Sequence, residues 1–379
     1  MRILYISEYR LDGGGFSAIT EGMALALHRQ GVELKVLGIS YDGREHELPI
    51  SVIPLLDAGF LQVQANTIID SWQPDAVVFA HDLSHHRNIM NAVRGSETAF
   101  RYIGIFPTEG APLHQAWAQT INEMDGRLTL SQFGVETCRA RGCDVRLLPV
   151  SYTPRILKAN PDDRAQMRTH VGFDGKFVIL KIADNHTRKN WAETLEYFAL
   201  WHSPNDVLYA VTRPENAWGW DLQDLAQDFG AERIPDTSTF AWADGAQFRV
   251  LHNLTRHELA WVLNVSDCML VDSGNEGLCM PILEAFAVDL PVVGMNHTAI
   301  GELLADGRGI LFESGYPYRD PFGNVERYHI DQAAWRNALT RIKYLSYTER
   351  DAMTARARMW LRDRTWDNAA NVLLSEIER

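Results

Sequence analysis

The same rhythm runs twice along this chain. A short apolar run of strand length is followed by an amphipathic run of helix length, and the pair then repeats. In the first half the strand-like runs are RILYIS (2–7), VELKVLGIS (32–40), DAVVFAHD (75–82), FRYIGIFP (100–107), GRLTLS (126–131) and DVRLLPV (144–150). The helix-like runs GFSAITEGMALALHRQG (15–31), FLQVQANTIIDSWQ (60–73) and PLHQAWAQTINEM (112–124) lie among them. Strands that alternate with helices predict βαβ units and a parallel sheet.

The rhythm breaks at SYTPRILKANPDD (151–163), which is rich in Pro and Asp and lacks periodicity, so it reads as a linker. It then restarts. Strands are expected over KFVILKIAD (176–184), DVLYAVTR (206–213), FRVLHNL (248–254), DCMLVDS (267–273), LPVVGM (290–295) and GILFE (309–313). Helices are expected over 190–203, 221–230 and 255–266, the last with Thr255 and Glu258 as a capping box. A chain of 379 residues is long enough for two domains. The expected fold class is therefore α/β, with two doubly wound Rossmann-like domains facing each other across a cleft. Ligands of such sheets bind outside the carboxyl ends of the strands.

Charge and cysteine usage narrow the class. The net charge of −13 disfavours nucleic acid and anionic membrane as partners unless basic residues cluster locally, and no long Lys/Arg run occurs. MRILYISEY opens as a strand without the apolar core of a signal peptide, and no apolar stretch nears the roughly 18 residues of a membrane span. Cys138, Cys143, Cys268 and Cys279 show no CxxC spacing and read as free thiols in a reducing compartment. A cytoplasmic location is the expectation.

One stretch asks for a chemical explanation. SGNEGLCMPILEAFAVDLPVV (273–293) carries Glu276 and Glu284 on either side of a predicted helix start, with Pro281 at its first position and the helix running to about 289. The loop 276–281 gathers backbone N–H groups and the positive helix end at one point, a combination that binds phosphate. Carboxylates aimed at a phosphate would repel it. They make sense as acceptors for hydroxyls on either side, the ribose of a nucleotide and a sugar beyond its diphosphate. A purely structural reading also exists: Glu284 as a dipole partner in the first helical turn, and Glu276 as a surface acid.

EGLCMPILEAFAVDLPVV (276–293) resembles the E-x7-E signature of retaining glycosyltransferases of the GT-B fold, in particular their large fourth sequence family. Glu276, Gly277, Pro281, Leu283, Glu284, Ala285, Ala287, Pro291, Val292 and Val293 match; Cys279 and Asp289 stand where Gly is usual. The resemblance implies that Glu284 holds the ribose hydroxyls, that Glu276 reads the donor sugar, and that Gly277, Leu278 and Cys279 line the phosphate loop. LDGGGFSAI (11–19) is similar to the family's glycine loop, with Gly14 and Gly15 the matching positions. In IADNHTRKNW (182–191), Lys189 and Asn190 match the diphosphate-gripping segment. Asp184 replaces its Arg, a charge that Arg188 is placed to supply.

On the acceptor side, FAHDLSHHRN (79–88) puts His81 and Asp82 at a strand end. His81 and His85 fall at metal-ligand spacing without a Cys or Glu partner nearby, so no metal is expected. IFPTEGAP (105–112) offers Thr108 and Glu109, with Glu109 as acceptor contact or base. RTWDNAANVLL (364–374) is similar to the family's closing helix, with Trp366 as a packing anchor.

The resemblance implies a domain plan: an acceptor-side Rossmann-like domain over 1–155, a donor-side one over 156–350, and helices over 351–379 that cross back to the first. It implies a retaining hexosyl or pentosyl transferase that needs no cofactor. The expected donor is a UDP- or GDP-sugar, and the acceptor a saccharide, lipid or other hydroxyl compound. Glu276, Lys189 and Glu109 are the candidate catalytic residues. A nucleotide-sugar-binding protein without turnover and a transferase acting on modified DNA bases remain alternatives. A dehydrogenase fits least, because the first glycine loop is not GxGxxG.

Overall fold

The computed structural model describes residues 1–379, apart from the side chain of Ala58. The chain forms two compact units. The first comprises Met1–Pro154, Pro321–Val325 and Arg362–Arg379; the second comprises Arg155–Asp320 and Glu326–Leu361.

In unit 1 the described residues form one sheet from β1 (Arg2–Glu8), β2 (Glu33–Ile39), β3 (Ser51–Leu55), β4 (Ala76–Ala80), β5 (Arg101–Phe106), β6 (Gly126–Thr129) and β7 (Arg146–Leu147). The spatial order is β3-β2-β1-β4-β5-β6-β7, and the neighbours are parallel. A parallel pair cannot be joined by a tight turn, so each step needs a crossover, and right-handed crossovers leading opposite ways from β1 cover opposite faces. That is why RILYIS and AVVFA are apolar throughout rather than alternating: Ile3 to Ile6 and Ala76 to Ala80 are all buried. The edge strand β3 was not expected. It holds Pro54, whose missing N–H is tolerated where no further strand pairs. The helix expected over 112–124 is shorter, Gln115–Glu123, capped by the His114 side chain.

The final helix, Trp366–Ile377, belongs to this unit. The Trp366 indole lies so close to helix Gly15–Arg29 that a Cβ at Gly22 would fall 2.1 Å from the ring. Its N–H donates to the Tyr152 carbonyl at 3.0 Å. Glu376 accepts from the Arg146 side chain at 2.9 Å and the Arg127 amide at 3.2 Å.

Unit 2 is built on β8 (Phe177–Ile182), β9 (Asp206–Val211), β10 (Glu232–Arg233), β11 (Thr239–Ala241), β12 (Gln247–Leu251), β13 (Cys268–Val271), β14 (Val292–Met295) and β15 (Ile310–Phe312). The order is β10-β11-β12-β9-β8-β13-β14-β15. From β12 to β15 the pairs are parallel, and β10 and β11 add an antiparallel edge. A separate hairpin pairs β16 (Ser314–Arg319) with β17 (Glu326–Ile330). The capping box of Thr255 and Glu258 is formed. The expected linker over 151–163 is shorter than its composition suggested. Asn160 accepts from the Asp163 amide at 2.8 Å, and Pro161 opens a helix running to His170. The Pro and Asp residues there are first-turn residues of a helix, where both are favoured. Among the described residues no helix is long and apolar enough to cross a membrane.

The Gly22–Trp366 approach yields a test. Gly22→Ala is expected to cost about 2 kcal/mol or more in urea denaturation, because the new methyl group has no room beside a fixed indole. In a Trp366→Ala background the same change should cost far less.

Candidate functional site

In each sheet the strand order reverses at one place, between β1 and β4 in unit 1 and between β8 and β13 in unit 2. The connections leave that place in opposite directions, so the loops beyond the carboxyl ends part and open a crevice. The residues in those four loops are therefore the ones to examine.

In unit 2 the loop after β8 makes a single 3₁₀ turn, Thr187–Lys189, and passes through Asn190 in the left-handed region (φ 52°) into helix Trp191–Trp201. The loop after β13 runs to helix Met280–Ala287. The two loops are joined directly. The Gly274 amide donates to the Arg188 carbonyl at 2.7 Å, and the Arg188 guanidinium donates to the Asn275 carbonyl at 3.0 Å. The Lys189 ammonium donates to Glu276 Oε1 at 2.5 Å, and Arg188 lies 3.5 Å from Oε2.

Glu276 is 7% exposed, so it is not the surface acid of the purely structural reading. Burial alone would raise its pKa. The charges of Lys189 and Arg188, with hydrogen bonds from Lys189 and Ser273, overcome this and hold it at about 2. It is thus a carboxylate at any physiological pH.

Glu284 is buried, 4% exposed, and is the fifth residue of its helix rather than part of the first turn. Gly277 and Leu278 are buried on the approach to that helix. Cys279 occupies its N-cap position and offers no capping hydrogen bond. Burial pushes the Cys279 thiol pKa up and Glu276 adds to the rise, with Lys189 opposing and Glu284 contributing. One thiol therefore feels both glutamates and the lysine. Cys279 has φ 72° and Asp289 φ 58°, both left-handed. These are the two positions where the resembling family carries glycine, the residue that adopts this backbone without strain.

Asp184 does not leave its end of the sheet without a cation. It accepts both arms of the Arg213 guanidinium, at 2.8 and 2.6 Å, from the carboxyl end of β9. Burial raises the Asp184 pKa, and Arg213 more than offsets it. Sequence reading placed Arg213 at the close of a strand but gave it no role. Its place at the end of the strand-like run 206–213 was legible, whereas the pairing of β9 with β8 is decided by the fold.

In unit 1 the loop after β1 passes through Gly13 (φ 109°) and Gly14 (φ 114°, ψ 141°) before the helix opens at Gly15. The backbone at Gly14 suits glycine, and a Cβ there would meet Ser17 Oγ at 3.3 Å and the Glu8 carboxylate at 3.6 Å. The loop after β4 begins with His81 and Asp82. The His81 ring is stacked between Phe16 and Phe79, with centroids at 5.0 and 5.7 Å. Burial, aided by His85, lowers its pKa to about 4. Its Nδ1 accepts from the Asp82 amide at 2.8 Å, so the neutral ring carries its proton on Nε2 as a donor.

The ligand atoms of His81, Asp82 and His85 lie within 4.8 Å of one another. In this tautomer the His81 lone pair on Nδ1 faces the Asp82 amide. Glu8, at the end of β1, is a residue that sequence reading missed; burial raises its pKa, Arg10 opposes this, and Asp82 adds to the rise. Glu109 is partly exposed in the loop after β5, ahead of the helix that starts at Gln115. Thr108 is buried, its hydroxyl 3.4 Å from that of Thr129 and 3.6 Å from Cys138 Sγ. The structure thus gathers Arg188, Lys189, Gly277, Leu278, Cys279, Glu276 and Glu284 at one crevice. It gathers Gly14, Gly15, His81 and Asp82 at another, and turns Thr108 inward.

This chain is similar in part of its sequence and in its fold to known proteins. Residues 243–318 match the glycosyl transferases group 1 family, a span that holds both glutamates. A putative glycosyltransferase of Bacillus subtilis (strain 168), EpsD, is 26% identical over 200 residues, or 52% of this chain and 47% of that relative, so the match spans about half of its length. Among solved structures, the sucrose-phosphate synthase of Thermosynechococcus elongatus superposes with a TM-score of 0.75 at 14% identity, covering 99% of this chain and 98% of the other. HepE of Anabaena, in complex with UDP-glucose, gives 0.72 at 14% identity, covering 100% and 99%. WaaG, a glycosyltransferase involved in lipopolysaccharide biosynthesis, gives 0.66 at 13% identity, covering 100% and 99%. The fold is that of the GT-B glycosyltransferases, with Rossmann-like units.

Two measurements test the site. The folded-state pKa of Glu276 lies below its ordinary 4.5, so the unfolded chain binds the extra proton. The ionised carboxylate then contributes stability that is present above pH 4.5 and is lost as pH falls through its depressed folded value. In denaturation curves at stepped pH, this acid-side loss should be smaller for Glu276→Gln than for the wild type. Separately, Cys279→Gly should be more stable than Cys279→Ala by about 1 kcal/mol in thermal melts, because alanine pays the left-handed backbone cost and glycine does not.

Proposed function

We propose that this protein is a retaining glycosyltransferase that takes a nucleotide-sugar donor in unit 2 and an acceptor hydroxyl at unit 1. The observation that carries the reading is the Lys189–Glu276 pair at the strand-order reversal of unit 2, with Glu284 on the helix that the Glu276 loop enters. A diphosphate leaving group gains negative charge as the bond to the sugar breaks, and positioned cations stabilise that charge. Lys189 and Arg188 are the cations at hand, with Arg213 one strand away. The N-terminus of helix Met280–Ala287 adds its dipole.

Glu276 is ionised in its pair with Lys189 and lies beside Arg188, so it is assigned as an acceptor for sugar hydroxyls rather than as an acid. Glu284, buried and further along the helix, is assigned to the ribose. Before donor binds, Lys189 is held by Glu276; an incoming diphosphate competes for the ammonium, and the carboxylate turns to the sugar. On the acceptor side, the Nε2 proton of neutral His81 is a donor for a hydroxyl, with Asp82 adjacent. Glu109 is the candidate to receive the acceptor's proton. Binding of UDP-glucose by HepE supports a uridine diphosphate sugar as the first donor to try. A second reading, donor binding without turnover, is favoured by one observation: Asp184 places a carboxylate at the carboxyl end of β8.

Release of UDP from UDP-glucose, with and without sugar acceptors, tests the proposal. The wild type should turn over. Glu276→Ala should lower kcat by about 100-fold or more, and Lys189→Ala by a similar factor with weaker UDP affinity. Binding of UDP-glucose in calorimetry with no release under any acceptor would favour the second reading.

A further inference from the structure

Directly beneath the loops that carry Lys189 and Glu276 lies a second lysine. Lys181, on β8, is 1% exposed, and Asp272, just past β13, is 0% exposed. An ammonium has three protons to place and no acceptor of its own. All three go to protein atoms: the Lys189 carbonyl at 2.8 Å, Thr194 Oγ1 at 2.6 Å and Asp272 Oδ1 at 2.5 Å. The ammonium also lies 4.5 Å from the Trp191 ring centroid.

Asp272 is equally engaged. Its Oδ2 takes the Trp335 indole N–H at 3.1 Å and lies 2.9 Å from Thr194 Oγ1, and its backbone carbonyl takes the Asn190 side chain at 2.9 Å. Burial pushes the Lys181 pKa down and Asp272 pushes it back up. The three acceptors of Lys181 belong to three different pieces of chain: the 183–190 loop, helix Trp191–Trp201 and the start of the 272–279 loop.

Stability alone does not call for this arrangement. A buried ion pair can be replaced by apolar residues of similar volume at little or no cost. What an apolar pair cannot do is hold the Lys189 carbonyl. We infer that Lys181 and Asp272 are positioning residues for the diphosphate-binding loop, setting the backbone of Lys189 at a fixed distance from the loop of Glu276. This rests on the functional reading above. Lys181 touches no substrate; it acts through Lys189, pinning the carbonyl of the residue whose ammonium meets the phosphate.

The test is a double-mutant cycle on the full-length chain, read as nucleoside-diphosphate affinity by calorimetry. UDP, GDP, ADP and dTDP are tried, and the tightest is the probe. Lys181→Met with Asp272→Leu removes the pair without stranding a buried charge. In the Lys189 background this double replacement should weaken binding about 10-fold; in a Lys189→Ala background it should change affinity less than about twofold. Thermal melts check that the variant folds. If it does not, Thr194→Val, which removes one acceptor of Lys181 at nearly constant volume, goes through the same cycle with the same pattern expected.

An equal loss in both backgrounds, or no loss in either, would overturn the inference while leaving the functional reading intact. A wild-type chain that binds none of the four diphosphates would overturn the functional reading, and the inference with it.

Discussion

The structure of the candidate site depends on one charge contact. Lys189 and Glu276 lie 87 residues apart in sequence and 2.5 Å apart in space, both nearly out of water. Either charge alone in that position would carry a large desolvation cost, so each is the condition for the other's burial. The pair also stores cationic charge in a form that an anion can claim. A free lysine at the surface would be solvated and mobile; a lysine held by a carboxylate is already oriented and already stripped of most of its water. Exchange of one anionic partner for another then needs little reorganisation.

That contact is framed by backbone rather than by side chains. The two loops are joined through the Gly274 amide, the Arg188 carbonyl and the Asn275 carbonyl. They enter their helices through the left-handed residues Asn190 and Cys279. Left-handed conformation at a non-glycine residue costs free energy and persists where the surroundings over-determine it. At Asn190 the surroundings are visible: its side chain donates to the carbonyls of Asp272 and Tyr328. At Asp289 they are too, since Lys158 and Arg358 both pair with its carboxylate. At Cys279 the side chain makes no capping hydrogen bond.

Unit 1 shows the same economy with different groups. His81 is kept neutral by burial between two aromatic rings, and its tautomer is set by the amide of the next residue. The outcome is one N–H donor at the carboxyl end of β4, next to β1, whose glycine loop opens the first helix. A donor of this kind suits a hydroxyl better than a phosphate, because the ring carries no charge.

Much of this is legible in the sequence. Strand-length apolar runs alternating with helix-length runs meant βαβ units, and these build parallel sheets. The strand-like runs ended at Ser7, Asp82, Asp184 and Ser273, and most candidate site residues lie at or after those ends, because the peptide chain has to leave a parallel sheet at its carboxyl edge. The pair Glu276 and Glu284 was visible from local spacing around a helix start. The hairpin of β16 and β17 and the antiparallel edge of β10 and β11 were not, since strands of two to six residues are too short to carry a clear periodic signal. By itself, then, the sequence determined the kind of sheet, the two halves and the two acids. Only the tertiary structure decided that Lys189 meets Glu276, that Arg213 meets Asp184 and that Lys181 meets Asp272, across 87, 29 and 91 residues. The physical reason is that neighbours in a parallel sheet are chosen by crossover path and strand register, and no local propensity records which ends will come to lie side by side.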